Sequence, residues 1–176
     1  MADVVGLDTF IVHFEGYEHH YVLIGGAACS LWLGAQGLSF RSTRDPDVVI
    51  IAEGMNVEFA RLLWDFISDG KFLSLEQATG KPQLYRFYGP ETAGYPYMIE
   101  LLTRRLLDLP ESVHLTPMPF SDEVSSLSAI LLDDNYYFFV LEHKEQIEGA
   151  STIPGRCLIP LKAKACLDLI EQIFGL

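Results

Sequence analysis

Asp45 and Asp47 stand two residues apart at the start of a β-branched run, Val48-Val49-Ile50-Ile51. On a strand, alternate residues project from one face, so such a pair stands roughly 6–7 Å apart along the chain. Mg²⁺ suits two such carboxylates, because it completes its shell with water and substrate phosphate oxygens. Two ions about 4 Å apart can activate an attacking oxygen and stabilise a leaving pyrophosphate. Pro46 fits the first strand position, where a missing N–H is tolerated. Upstream, the apolar run Tyr21-Val22-Leu23-Ile24 leads into Gly25-Gly26 and then into an apolar segment of helical length, residues 27–33. Glycines between strand and helix let a phosphate approach main-chain N–H groups at a positive helix end. Each fragment has a plain alternative: Asp-Pro-Asp also caps turns, and Gly-Gly also follows strands that bind nothing.

Two further residues carry candidate chemistry. Glu100 lies inside the apolar run Ile99-Glu100-Leu101-Leu102. A buried carboxylate there must be paired or bind a metal, the alternative being a strand-edge Glu facing water. Lys162 falls on the expected buried stripe of a C-terminal helix, with Cys166, Leu169, Ile170 and Ile173. A lysine so placed wants an anion, unless its stem merely snorkels past the helix start.

Residues 21–51 resemble the nucleotidyltransferase superfamily, the polymerase-β-like fold. Ile24-Gly25-Gly26 and Asp45-Pro46-Asp47-Val48 match its hydrophobic-Gly-Gly and acidic-x-acidic signature. The wording is most similar to AbiE-type toxin nucleotidyltransferases, whose R-x-T-x-D-x-D phrase is matched by Arg41, Thr43, Asp45 and Asp47. Lys162-Ala-Lys-Ala-Cys-Leu-Asp168 resembles their K-x-x-A-x-x-D helix.

The resemblance implies an α+β nucleotidyltransferase fold, a mixed β-sheet flanked by helices, over a single domain of residues 1–176. It implies Asp45, Asp47 and Glu100 as catalytic metal ligands, Glu100 standing where relatives more often carry Asp. Gly25, Gly26, Thr43 and Lys162 would contact the nucleotide. Relatives continue past this point with a further helical region, so the chain reads as a minimal version or one truncated at its C-terminus.

Composition narrows the partners. With 24 Asp and Glu against 12 Lys and Arg, the net charge is −12. That disfavours an extended nucleic-acid groove, which needs a basic stripe. It allows a mononucleotide whose phosphates arrive with Mg²⁺. The start of the sequence lacks a basic, cleavable apolar leader, and no apolar run reaches about 18 residues, so no membrane partner is expected. Cys29, Cys157 and Cys166 are unclustered and read as reduced core thiols, which suits the cytoplasm.

The supporting elements follow from periodicity. Phe10, Ile11, Phe14 and Tyr17 suit a helix capped by Asp8. His19-His20, at a strand start, are expected on opposite faces and unable to share an ion. Residues 56–69 form an amphipathic helix closed by Gly70. Residues 83–88 and 95–102 read as strands joined by GPETAG. Residues 126–132 and 136–140 read as a hairpin about Asp133-Asp134-Asn135. Residues 158–174 form the last helix, with Pro160 in its first turn.

Three functions fit. The first is a Mg²⁺-dependent nucleotidyltransferase moving a nucleoside monophosphate from an NTP to an acceptor hydroxyl on a small molecule, a protein or RNA. The second is a non-catalytic nucleotide-binding or regulatory module of the same fold, with an antitoxin-like protein partner. The third is an α/β scaffold whose Asp-Pro-Asp only caps.

Overall fold

A computed structural model describes residues 4–39, 47–52, 57–74, 83–103 and 134–174. These form an α+β structure: helices α1 (Leu7–His13), α2 (Gly25–Ala35), α3 (Val57–Gly70), α4 (Asp134–Glu142) and α5 (Gly155–Phe174) around one mixed sheet. The strands are β1 (Tyr21–Ile24), β2 (Asp47–Ala52), β3 (Leu73–Ser74), β4 (Gln83–Tyr88), β5 (Met98–Thr103), β6 (Glu145–Ile147) and β7 (Ala150–Thr152). Their order is β3-β4-β5-β2-β1-β7-β6. Pairing is antiparallel except for β2 with β5 and β1 with β7.

β1 is buried at all four positions, as its continuous apolar run requires. Tyr21 and Leu23 join a core with α1 and α3; Val22 and Ile24 join a second core with α4 and α5. The first core is aromatic: Phe10, Phe14, Tyr21, Phe59 and Phe66 meet with ring centroids 4.4 to 6.3 Å apart. Such pairs add about 0.5–1.5 kcal/mol each beyond burial. α3 buries Phe59, Ala60, Leu63, Phe66 and Ile67, one face at helical spacing. Its last carbonyls are met by the GPETAG turn: Thr92 Oγ1 donates to Asp69 O at 2.7 Å, and Thr92 N–H to Gly70 O at 3.3 Å.

Several expectations are corrected. α1 starts from Gly6 (φ 81°), with no side-chain cap; Asp8 sits in its first turn instead, and Tyr17 lies beyond the helix. Gly6 is required because its backbone presses against Tyr95 and Pro96. His19 and His20 occupy a short 3₁₀ turn, Glu18–His20, with ring centroids 3.9 Å apart. A 3₁₀ turn rotates successive side chains by about 120°, short of a strand's opposition. Residues 136–140 are helical, within α4, with Tyr137 and Val140 turned inward. Asp134 begins that helix, while Asp133 and the partner segment 126–132 lie outside the described residues.

α5 begins earlier than expected, at Gly155, so Pro160 is its sixth residue. Its buried face is Cys157, Leu158 and Leu161; Lys162, Cys166 and Ile170 are exposed. The reading of Lys162 as buried-facing, and of Cys166 as a core thiol, is therefore overturned: the face of α5 that packs is that of Cys157, Leu158 and Leu161, and Lys162 and Cys166 lie on another side of the helix. Cys157 is buried and Cys29 half-buried. No helix of the described residues is long and apolar enough to cross a membrane.

Candidate functional site

The topology brings three sequence-remote pieces to one edge of the sheet. β1 runs antiparallel to β2, with Ile24 opposite Val49, so the C-terminal end of β1 stands beside the N-terminal start of β2. β5 runs parallel to β2, with Met98 opposite Asp47 and Glu100 opposite Val49. Gly25-Gly26, Asp47 and Glu100 are thereby gathered within a few residues of the same edge.

Each position has a local cause. Ile24 is extended (φ −133°, ψ −174°), and the chain must turn at once into α2. Gly25 makes that turn with φ 72°, a left-handed conformation that a Cβ disfavours. The helix therefore takes in both glycines, two residues earlier than the apolar segment implied. No side chain caps α2. Its first-turn N–H groups and the positive end of its dipole lie at the sheet edge.

Glu100 is fully buried, between Ile99 and Leu101, which belong to the first core. Alternation gives position 100 the opposite face, that of Ile24 and the second core. Register positions 47 and 100 share this face, one strand apart across the sheet and offset by two residues along it. At about 4.8 Å between strands and 3.3 Å per residue, the two backbone positions are near neighbours on this face. Asp45, Thr43 and Arg41 lie outside the described residues. Among the described residues, no group of three or more His, Cys, Asp or Glu is placed to hold a metal.

α5 starts at the same edge. β7 runs parallel to β1 and is tied to its end by Thr152 Oγ1, which donates to Leu23 O at 3.0 Å. Ile153 and Pro154 then lead into the helix, whose first bonds are Cys157 N–H and Leu158 N–H to Pro154 O at 2.8 and 3.1 Å. Gly155 is needed because a Cβ would lie 2.6 Å from the indole of Trp32 on α2. This close crossing brings Lys162 near Cys29, one turn into α2 from Gly25. Burial raises the Cys29 thiol above its ordinary value, and the Lys162 ammonium partly offsets the rise. Lys162 thus sits exposed beside the glycine-led helix, in place to meet an anion from solvent.

Thr152 and Gly155 carry this arrangement and were not singled out by sequence reasoning, while Trp32 was expected to pack α2 on the sheet and also meets the start of α5. The available signal was Gly149 and Gly155 bracketing Ala-Ser-Thr-Ile-Pro, a turn and a helix start around a short strand. Comparison with known proteins finds no matching family model, no matching curated protein and no matching solved structure.

Proposed function

We propose that this protein is a Mg²⁺-dependent nucleotidyltransferase of the polymerase-β-like fold, similar to AbiE-type toxins. The observation that carries the reading is the glycine-led start of α2 beside the first residue of β2, with the buried Glu100 one pleat away. Asp45, Asp47 and Glu100 would hold Mg²⁺, which when bound supplies charge neutralisation and polarises the reacting oxygens.

The chain's own groups do the rest. Main-chain N–H groups at Gly25 and Gly26 donate to phosphate oxygens, and Thr43 adds a hydroxyl. The Lys162 ammonium balances the charge that gathers on the leaving pyrophosphate. In the reaction, an acceptor hydroxyl oxygen bonds to the α-phosphorus as the α–β anhydride P–O bond breaks. The hydroxyl proton is lost to solvent and pyrophosphate leaves. The net charge of −12 favours a small molecule or a protein as acceptor over RNA. A cytoplasmic location and an antitoxin-like protein partner belong to the same proposal.

A second reading keeps nucleotide binding without transfer, as a regulatory module. The complete burial of Glu100 favours it, because a carboxylate satisfied within the sheet needs no ion. Calorimetric titration of ATP, GTP, CTP and UTP in Mg²⁺, on wild type and Asp45→Ala/Asp47→Ala, tests both. Metal-dependent binding lost in the double variant is expected. Folded wild type that binds no nucleotide sinks both readings, and binding that survives Glu100→Gln with its Mg²⁺ dependence intact selects the second.

A further inference from the structure

α5 carries an apolar face that the rest of the described structure leaves uncovered. Away from Cys157, Leu158 and Leu161, the side chains of Ile159, Ala163, Cys166, Leu167 and Ile170 are exposed, Ile159 to 71% and Leu167 to 56%. Alternating steps of four and three residues keep Ile159, Ala163, Cys166 and Ile170 in one row, with Leu167 beside it. At 1.5 Å per residue the row is about 16 Å long, roughly three turns. Single exposed apolar residues need no explanation, but a contiguous row rimmed by charge marks a contact surface.

The charge around this row is the reverse of the chain's. The protein carries −12, yet residues 149–167 contain Arg156, Lys162 and Lys164 and no Asp or Glu. Arg156 and Lys162 are exposed, and among the described residues neither makes an ion pair. Arg156 stands in the first turn of α5, which has no acidic residue. The helix dipole favours an anion there and disfavours a cation. An incoming carboxylate would satisfy the guanidinium and the helix end together.

We infer that this face of α5 docks an acidic amphipathic helix of a partner protein, whose apolar residues cover the row from Ile159 to Ile170 and whose carboxylates meet Arg156 and Lys162. The inference shares Lys162 with the nucleotidyltransferase reading and is otherwise independent of it. Anchors at steps of three and four are what a docked helix presents, and the row offers the matching spacing. About three turns make a small contact, of the transient class. An anionic bilayer fits less well, because a plane meets the acidic remainder of the surface along with the row, whereas one helix meets the row alone. A second copy of α5 brings the same cations to the contact and, among the described side chains, no carboxylate to offset them.

The test uses the full chain and two synthetic helical peptides with leucines at alternating steps of four and three, the other positions mainly Glu in one and Lys in the second. Fluorescence anisotropy reads affinity. Mass spectrometry of Cys166 alkylation reads location, since Cys166 lies in the row while Cys157 is buried. The net charge of −12 favours the Lys peptide everywhere else, so a preference for the Glu peptide reports this face. The Glu peptide is expected to bind about tenfold more tightly than the Lys peptide, and to lose about tenfold in affinity in Ile159→Glu and in Arg156→Glu. At saturation it should also slow Cys166 alkylation. Circular dichroism checks that the variants fold, and Arg156→Gln and Leu167→Gln replace any that do not.

Absence of binding, equal binding of the two peptides, or Glu-peptide binding that leaves Cys166 alkylation unchanged overturns the inference. So does a concentration-dependent dimer in sedimentation that Ile159→Glu disperses, which makes a second copy the occupant. Retention on phosphatidylserine vesicles that the same variant loses makes the occupant a membrane and overturns it too. Resistance of Cys166 to alkylation in the free protein means that the chain covers the row itself, with the same consequence.

Discussion

Gly25 and Gly26 are neighbours, but the fold asks different things of them. Gly25 is buried and turns the chain with φ 72°. Alanine there puts a Cβ into the left-handed region at a cost of about 1–2 kcal/mol. In a domain of this size each kcal/mol moves the melting midpoint by about 2–4 °C, so Gly25→Ala should melt about 2–8 °C lower. Gly26 is half-buried, inside the helix and without a positive φ. Alanine is the better helix former, so Gly26→Ala should be at least as stable as wild type. On the proposed function nucleotide binding should rank them differently, since a Cβ at Gly26 would crowd the N–H groups proposed to meet the phosphate. Mg²⁺-ATP affinity of Gly26→Ala should fall about tenfold, equivalent to about 1.4 kcal/mol. Thermal unfolding by circular dichroism reads the first effect and calorimetry the second. Equal midpoints for Gly25→Ala and wild type would refute the left-handed turn. Wild-type ATP affinity in Gly26→Ala would refute the phosphate cradle.

Gly155→Ala should cost about 1–3 kcal/mol of overpacking, because the new methyl would meet three indole atoms of Trp32 at 2.6–2.7 Å. Denaturation followed by tryptophan fluorescence checks it, and an unchanged urea midpoint would mean the two helices are not in such close contact. Lys162→Gln, at an exposed position, should change stability by less than about 0.5 kcal/mol. The same change should slow Cys29 alkylation at fixed pH, by removing the charge that holds its thiol down; an unaltered rate contradicts the proximity. Stability should also fall in alkali. Burial raises Tyr21, Cys29, Tyr95 and Cys157 above their ordinary values, so the folded state keeps protons that the unfolded state loses. Their contribution is complete below the ordinary thiol value of 9.0 and the phenol value of 10.0, and is lost as pH climbs towards the folded values. Urea midpoints at pH 8 and pH 10.5 should show the drop, and a flat or rising profile would be incompatible with it.

Elements with long, regular patterns were legible in the sequence. The buried run of β1, the 14-residue α3 and the strands β4 and β5 stand close to where periodicity puts them. α4 was misread for two physical reasons. Tyr-Tyr-Phe-Phe-Val has strand-like composition, and a short apolar run does not declare its period. The Asp and Asn residues before it serve hairpin turns and helix starts alike. The β6–β7 hairpin was missed because each strand is three residues long. Its turn uses Glu148 at φ 49° with Gly149 at φ 82°, and only the glycine advertises such a conformation. Lys162 was given the wrong burial because the stripe drawn through Cys166 and Ile170 lies on a different side of α5 from Cys157, Leu158 and Leu161, the face that packs. An apolar stripe offers a face; neighbouring elements decide which face is covered.

The candidate site divides along the same line. Its residue types were visible, since a glycine pair after a strand and a carboxylate inside an apolar run are local features. What places them together is strand order, a product of non-local pairing. An antiparallel β1–β2 pair brings the end of one strand beside the start of the next, and a parallel β2–β5 pair brings in a residue from far along the chain. That second pairing also removes a choice that sequence alone left open. A strand-edge Glu facing water is ruled out for Glu100, because β5 has β2 on one side and β4 on the other, and position 100 is fully buried. A carboxylate in that place must be matched by charge or by donors. The proposed divalent ion is one such match and donors within the sheet are the other, and Glu100→Gln separates them: loss of Mg²⁺-dependent nucleotide binding in a folded variant goes with the ion, and unchanged binding goes with donors alone.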